Sequence, residues 1–263
     1  MNSNTVKQKL KAGKATCGAF LQMNSCMSAE ILSLAGFDWL IVDMEHAPVD
    51  FQSLLQQLQA IGNASDCVPF VRAPWNDAVA IKRIMDAGAQ GVVIPYVNTR
   101  AEAEAAVSAC KFPPLGTRGA AMSPRAARYG GESTSYFADA NRESVVIVSV
   151  ETDQAMQNLD EILEVPDLDG IFIGPMDLAV SLGHSDVQCA PVSEAIKRIE
   201  DKVLASEKFL GTVATNWSKA MACYERGYQW LILMQDGISL ATQAASIVKR
   251  FGKEVNDAQN ADR

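Results

Sequence analysis

Eight short apolar runs, each followed by an amphipathic stretch, constrain this chain more than any other feature. Read as strands they are Thr16–Met23, Trp39–Glu45, Val68–Ala73, Gly91–Val97, Val145–Glu151, Gly170–Gly174, Leu210–Ala214 and Trp230–Met234. Apolar runs bounded by turn residues fit strands covered on both faces, and strands that alternate with helices pair in parallel through right-handed crossovers. Eight such units predict an α/β fold closed as a (β/α)8 TIM barrel, whose usual length of about 250 residues agrees with the 263 present. A single barrel unit over residues 1–263 is expected, with no internal repeat or second domain.

Helix signals fill the intervals. Ser28 is expected to cap a helix ending at Gly36, and Asp50 to open Phe51–Ile61, where Leu54, Leu55, Leu58 and Ile61 recur at helical spacing. Asn76 should cap Asp77–Ala87 before Gly88, and Thr99 should begin a helix reaching Cys110. Asp153 is read as the start of Gln154–Leu163, Pro191 as the start of a helix to about Ser206, and Asn216 as the cap of a helix closed by Gly227. A last helix, Ser239–Phe251, is expected before a polar tail, 252–263, that frays. The link from Phe112 to Ser144 exceeds what a barrel needs and carries Pro113, Pro114, the segment Gly116–Gly119, Arg125, Arg128 and Tyr129. Long loops in compact domains usually serve function or an interface.

Composition narrows the partners. A net charge of −8 and no run of basic residues argue against nucleic acid. No window of uncharged apolar residues is long enough to span a bilayer, and Met1–Lys14 lacks the apolar centre of a secretory signal. Six scattered cysteines without a C-x-x-C pair fit a reduced, cytoplasmic interior.

Chemistry-bearing residues gather where strands end. The second strand delivers Asp43, Glu45 and His46, the third Arg72, the fifth Glu151 and the sixth Asp177, while Gln22, Gln235 and Asp236 add polar groups. In a barrel all of these share one rim, the rim where catalysis concentrates. Taken singly each has a plain structural reading. Asp43 or Glu45 caps the next helix, His46 is an ordinary loop histidine, Glu151 is an acid favoured by a helix dipole, and Asp177 caps a turn. Taken together, two carboxylates, an arginine and a histidine suit a hard divalent cation holding an anionic substrate. Zinc is disfavoured, because His46 and His184 are the only histidines. No lysine falls on an expected strand, so carbonyl chemistry here needs a metal rather than an imine as electron sink. The Gly116–Gly119 segment fits an anion site or a simple turn equally well.

Five motifs in order, VDMEHAP, PFVRAPWNDAVAIKRIMDAGAQGVVIPYV, FPPLGTRGAA, VETDQAMQNLDEIL and GIFIGPMDLAVSLG, resemble the metal-dependent pyruvate aldolases of the 4-hydroxy-2-oxoheptanedioate and 2-dehydro-3-deoxyglucarate aldolase family. The resemblance implies a barrel of the phosphoenolpyruvate/pyruvate superfamily, assembled as a homohexamer with a C-terminal helix exchanged between subunits. It further implies that Glu151 and Asp177 hold magnesium or manganese, with cobalt as a third choice. Arg72 looks like the group that meets the keto oxygen, and His46 like the acid/base, with Asp43 nearby. Asp86 looks like a carboxylate that orients a histidine across a subunit interface, and the backbone amides of Met176 and Asp177 like the substrate-carboxylate site. The reaction implied is reversible cleavage of a 4-hydroxy-2-oxo acid to pyruvate and an aldehyde.

The chain departs from the family pattern in three places. Ser149 stands where a substrate-touching glutamine is usual, Ala179 where serine is common, and ILMQDG replaces a glycine-rich run. These departures keep a second reading open, a Claisen-type acyltransferase condensing an oxo acid with an acyl-CoA, for which Arg118, Arg125 and Arg128 would supply a basic cleft. A third, a non-catalytic binding barrel, is argued against by the intact His46, Arg72, Glu151 and Asp177.

Overall fold

The computed structural model describes residues 3–131 and 135–261. Eight parallel strands close into a barrel in chain order: β1 (Thr16–Leu21), β2 (Trp39–Asp43), β3 (Val68–Arg72), β4 (Gly91–Ile94), β5 (Val145–Val150), β6 (Gly170–Ile173), β7 (Phe209–Val213) and β8 (Trp230–Gln235). β8 pairs back to β1, so the sheet has no free edge. An α/β TIM barrel was the expected fold, and each strand lies where its apolar run predicts, though all but β8 stop one to three residues short of the expected end.

Helix α1 (Thr5–Lys11) precedes the barrel. The outer layer is α2 (Cys26–Leu34), α3 (Phe51–Ala64), α4 (Ala78–Ala87), α5 (Arg100–Cys110), α6 (Tyr136–Glu143), α7 (Asp153–Gln157), α8 (Leu159–Leu163), α9 (Pro175–Ser181), α10 (Ala190–Leu204), α11 (Trp217–Glu225) and α12 (Asp236–Ala261). Several boundaries correct the sequence reading. Ser25, not Ser28, caps α2, because Ser25 holds the extended backbone and accepts from the Ser28 N–H; the Ser28 hydroxyl instead donates to Asp236. Asp77 caps α4 by accepting from Ala80 N–H at 2.7 Å, while Asn76 reaches the Glu102 carbonyl. Thr152 caps the helix assigned to Asp153, and the chain breaks at Asn158 into α7 and α8. The long link carries a 3-10 turn at Arg125–Gly130 and then α6, while its residues 132–134 lie outside the described residues. The final helix continues through Gly252 to Ala261, where a tail was expected; residues 262–263 lie outside the described residues.

The barrel interior is packed by register. Four cross-strand pairs each set an inward glycine against an inward aromatic ring: Gly18 with Trp39, Gly91 with Phe70, Gly170 with Phe209, and Gly211 with Trp230. The glycines clear the volume in which Trp39 and Trp230 stack at 3.8 Å with 2° between their planes, flanked by Phe70 and Phe172. The Trp39 N–H donates to Thr16 Oγ1 at 3.1 Å, so burying that indole leaves no unmet donor.

Helix α1, which the sequence reading missed, seals the N-terminal end of the barrel. Val6 and Leu10, four residues apart, are buried in the same cluster as the two tryptophans. Asn4 caps the helix and donates to the Gln90 and Glu143 carbonyls, and Lys7 pairs with Asp169 at 3.0 Å. These ties anchor the plug where β4, β5 and β6 begin.

A methyl at position 18 would run into the Trp39 ring rather than into a movable chain end. Overpacking of this kind costs about 1–3 kcal/mol. Gly18→Ala should therefore lower the thermal midpoint by several degrees, read by circular dichroism; an unchanged midpoint would show that the tryptophan stack has room to shift.

Candidate active site

Strand register builds the centre of the site. Asp43 and Arg72 end β2 and β3 as direct cross-strand partners, which places acid and base side by side at the C-terminal mouth. Arg72 Nε and Nη2 donate to the two Asp43 oxygens at 2.9 and 2.6 Å, a bidentate pair in which Asp43 is fully buried and Arg72 7% exposed. Gln22 Nε2 adds a bond to Asp43 at 2.8 Å, and the Glu45 and His46 backbone N–H groups add two more. Burial alone would raise the Asp43 carboxyl, but the hydrogen bonds and charge of Arg72 hold it below the ordinary carboxylate range. The guanidinium also lies 4.6 Å from the Phe20 ring centroid, which fixes its plane.

Glu45 and His46 follow β2 in a turn. Glu45 Oε2 lies 3.1 Å from Arg72 Nη1 and 3.4 Å from His46 Nε2, and burial pushes its carboxyl up despite the opposing charge of Arg72. Glu151 follows β5, buried, and accepts from the Tyr96 backbone N–H at 2.8 Å. Gly174 opens the space its carboxylate occupies, since a side chain there would collide with Oε2. Burial, with the neighbouring charges of Glu45 and Asp177, pushes the Glu151 carboxyl up to about 7. Asp177 lies in the first turn of α9 on the same mouth. Tyr96, at a positive φ of 53°, stacks on Trp75 and rims the opening. Ser149 points inward from β5, one inward position below Glu151, with its buried hydroxyl unpartnered.

Asp43, Glu45 and Glu151 thus face one buried guanidinium, and Asp177 is close enough to act on Glu45 and Glu151. Oxygen donors without histidine or cysteine, and a carboxyl raised by its own neighbours, are what a hard divalent cation relieves. Among the described residues no cluster of three or more His, Cys, Asp or Glu is spaced to cage an ion. The donor set therefore fits a cation held by one or two carboxylates and completed by water or ligand, as magnesium prefers.

Other expected residues lie elsewhere. Asp86 sits in the last turn of α4, toward the opposite end of the barrel, where Arg118 Nη2 bonds it at 2.6 Å; within one chain it does not join His46. Arg125 donates to the Ala87 and Leu58 carbonyls, at the ends of α4 and α3. A cavity of about 670 Å³ lies at that end too, lined by Arg118, Arg125, Gln90 and Cys67. The arginines considered for a coenzyme A cleft are therefore on the far end from the mouth, and the cavity is not where the strand-end acids are. Glu45 was noted in the sequence only as a strand-end acid; its double contact depends on the turn after β2, which spacing does not reveal.

Three comparisons bear on this geometry. The model of the HpcH/HpaI aldolase/citrate lyase family matches residues 16–242. A 4-hydroxy-2-oxo-heptane-1,7-dioate aldolase of Salmonella dublin is 39% identical over 254 residues, covering 96% of each chain. Among solved structures, an HpcH/HpaI aldolase/citrate lyase family protein from Burkholderia cenocepacia J2315 superposes with a TM-score of 0.91 at 34% identity, covering 95% of this chain and 99% of that one. A citrate synthase superposes with a TM-score of 0.84 at 25% identity, covering 94% and 98%.

The raised Glu151 carboxyl has a signed consequence. A carboxyl that binds its proton more tightly in the native chain favours folding below its unfolded value of 4.5, and that contribution is lost as pH rises through about 7. With chelator present, Glu151→Gln should be more thermally stable than wild type at pH 8, with the gap narrowing by pH 5. A gap independent of pH would show that Glu151 titrates normally.

Proposed function

The chain belongs to the HpcH/HpaI aldolase/citrate lyase family, and from that premise we propose a divalent-cation-dependent aldolase that reversibly cleaves a 4-hydroxy-2-oxo acid to pyruvate and an aldehyde. The observation that carries this reading is the mouth itself, where Glu151 rises to about 7 among neighbouring acids beside the buried Arg72–Asp43 pair. Magnesium, manganese or cobalt between Glu151 and Asp177 would supply positive charge to the oxo acid's C1 carboxylate and C2 oxygen.

The protein's own groups do the rest. The backbone N–H groups of Met176 and Asp177, at the start of α9, hold the substrate carboxylate. Arg72, locked by Asp43, presents Nη1 and its remaining Nη2 hydrogen to the C2 oxygen, where negative charge grows as the C3–C4 bond breaks. His46 takes the proton from the 4-hydroxyl; the C3–C4 electron pair passes to C3, and C4 leaves as the aldehyde carbonyl. Protonation at C3 gives pyruvate, and the steps in reverse give the aldol. Ser149 lines the inner floor beneath Glu151, where it contacts the three-carbon unit.

The reading of the assembly is supported by α12. Leu240, Ile247, Val248 and Phe251 are each at least 58% exposed on a helix that extends beyond the barrel. An apolar stripe of that size wants a partner surface, which supports a homo-oligomer, a hexamer in the family reading, with α12 exchanged between subunits. The family resemblance assigns Asp86 to a neighbour's histidine across that interface. No helix among the described residues is long and apolar enough to cross a membrane, and the six free cysteines support a reducing, cytoplasmic setting.

Two measurements test this reading. Wild type should release pyruvate from a 4-hydroxy-2-oxo acid and stop with excess chelator, while Arg72→Ala should retain its fold by circular dichroism and lose kcat by about 10²–10³, as removal of an oxyanion donor does; an unfolded variant would make the arginine architectural. In light scattering, Val248→Asp with Phe251→Asp should give a smaller species than wild type, and an unchanged mass would remove α12 from the interface.

A further inference from the structure

One oxygen of Glu45 touches two groups that the reaction needs at the same moment. It lies 3.1 Å from Arg72 Nη1 and 3.4 Å from His46 Nε2. Asp43 cannot share that task, because its oxygens already receive Arg72 Nε and Nη2, Gln22 Nε2 and the backbone N–H groups of Glu45 and His46. Asp86 cannot do so within one chain, since Arg118 holds it toward the other end of the barrel. The Glu45 side chain is 9% exposed, and its Oε2 makes neither contact in hydrogen-bond geometry. A buried carboxylate oxygen held so loosely costs stability. The Arg72 guanidinium on one side and the His46 ring on the other are the neighbours the site gives it.

We propose that Glu45 is a positioning residue that holds the His46 imidazole at a set span from the Arg72 guanidinium. The inference rests on the aldolase reading. In that reaction the imidazole serves the oxygen on C4 and the guanidinium the oxygen on C2, two carbon–carbon bonds apart, so the distance between the two protein groups is dictated by the substrate. The His46 side chain is 53% exposed within one chain, where Glu45 Oε2 lies beside its ring. Loss of that contact would change how far the imidazole stands from Arg72, which Asp43 holds in place. Glu45 therefore acts on the rate of the chemical step more than on binding of the oxo acid.

The test compares Glu45→Gln and Glu45→Asp with wild type, each loaded with magnesium, manganese or cobalt. It measures cleavage of a 4-hydroxy-2-oxo acid and deuterium exchange into the pyruvate methyl group. Glutamine keeps the shape without the charge, and aspartate keeps the charge on an arm too short to reach both partners. Both variants should keep the wild-type circular dichroism and a KM within about threefold, with kcat down about 10- to 100-fold, the range that a displacement of about 1 Å produces. Either variant within twofold of the wild-type kcat, a loss confined to KM, or a Glu45→Gln chain that no longer folds overturns the proposal. Wild type that exchanges methyl protons with none of the three ions defeats the aldolase reading, and this inference with it. Wild-type exchange beside unimpaired variants defeats this inference alone.

Discussion

Charge at the barrel mouth is the constraint on which the rest of the molecule turns. Four carboxylates, Asp43, Glu45, Glu151 and Asp177, share the mouth with one buried guanidinium, which pairs bidentately with Asp43 alone. Unpaired buried charge is so costly that such groups normally shift their protonation or acquire a counterion. Glu45 and Glu151 do the first, rising under burial and the charge of neighbouring acids. In the proposed reading a divalent cation held by Glu151 and Asp177 would accomplish the second. The same imbalance that destabilises the mouth would then give it affinity for the ion and a use for the ion's charge.

Such a mouth needs a rigid support, and the opposite half of the barrel supplies it. Each inward glycine faces an aromatic ring on the next strand, so the interior is filled by pairs whose combined volume is set by register rather than by any one residue. Helix α1 then closes the end, with Val6 and Leu10 against the stacked tryptophans. Stability is concentrated below and chemistry above, the division common in barrels of this type. The Asp43–Arg72 pair inherits its position from that register, since Trp39 with Val68 and Asp43 with Arg72 are rungs of one ladder.

The strand-helix alternation, the eight units and the rim acids were legible because each depends on local periodicity and on what kind of residue ends an apolar run. What was not legible depends on geometry between distant segments. A serine three residues along the chain looks equally able to cap α2, and only the extended backbone at Ser25 decides between them. Asn76 and Asp77 are both good caps, and the Glu102 carbonyl draws Asn76 away. Helix α1 is a short, largely polar segment whose two apolar residues make sense only once a barrel end exists to receive them. Pairing of Asp86 with Arg118, and of Glu45 with both Arg72 and His46, joins side chains that no spacing rule connects.

The lysines give the mouth its chemical meaning. No lysine lies in a strand. The one with the character of an imine-forming residue is Lys111, 1% exposed, its ammonium lowered by burial and by the nearby charge of Lys7. Yet Lys111 follows α5 at the end where β5 begins, and its Nζ is committed to the Asn141 carbonyl and to the Ser144 carbonyl and hydroxyl, at 2.7, 3.3 and 2.8 Å. With every acceptor a carbonyl or hydroxyl oxygen, the ammonium serves as a cross-link between α6 and the start of β5. A barrel that keeps its buried amine at the sealed end, and gathers acids with an arginine at the open end, has divided the means of stabilising a carbanion. The covalent electron sink is out of reach of any substrate at the mouth, so negative charge on an oxo acid there must be met by fixed cations. Arg72 is one such cation, and in the proposed reading a divalent ion held by Glu151 and Asp177 would be the other.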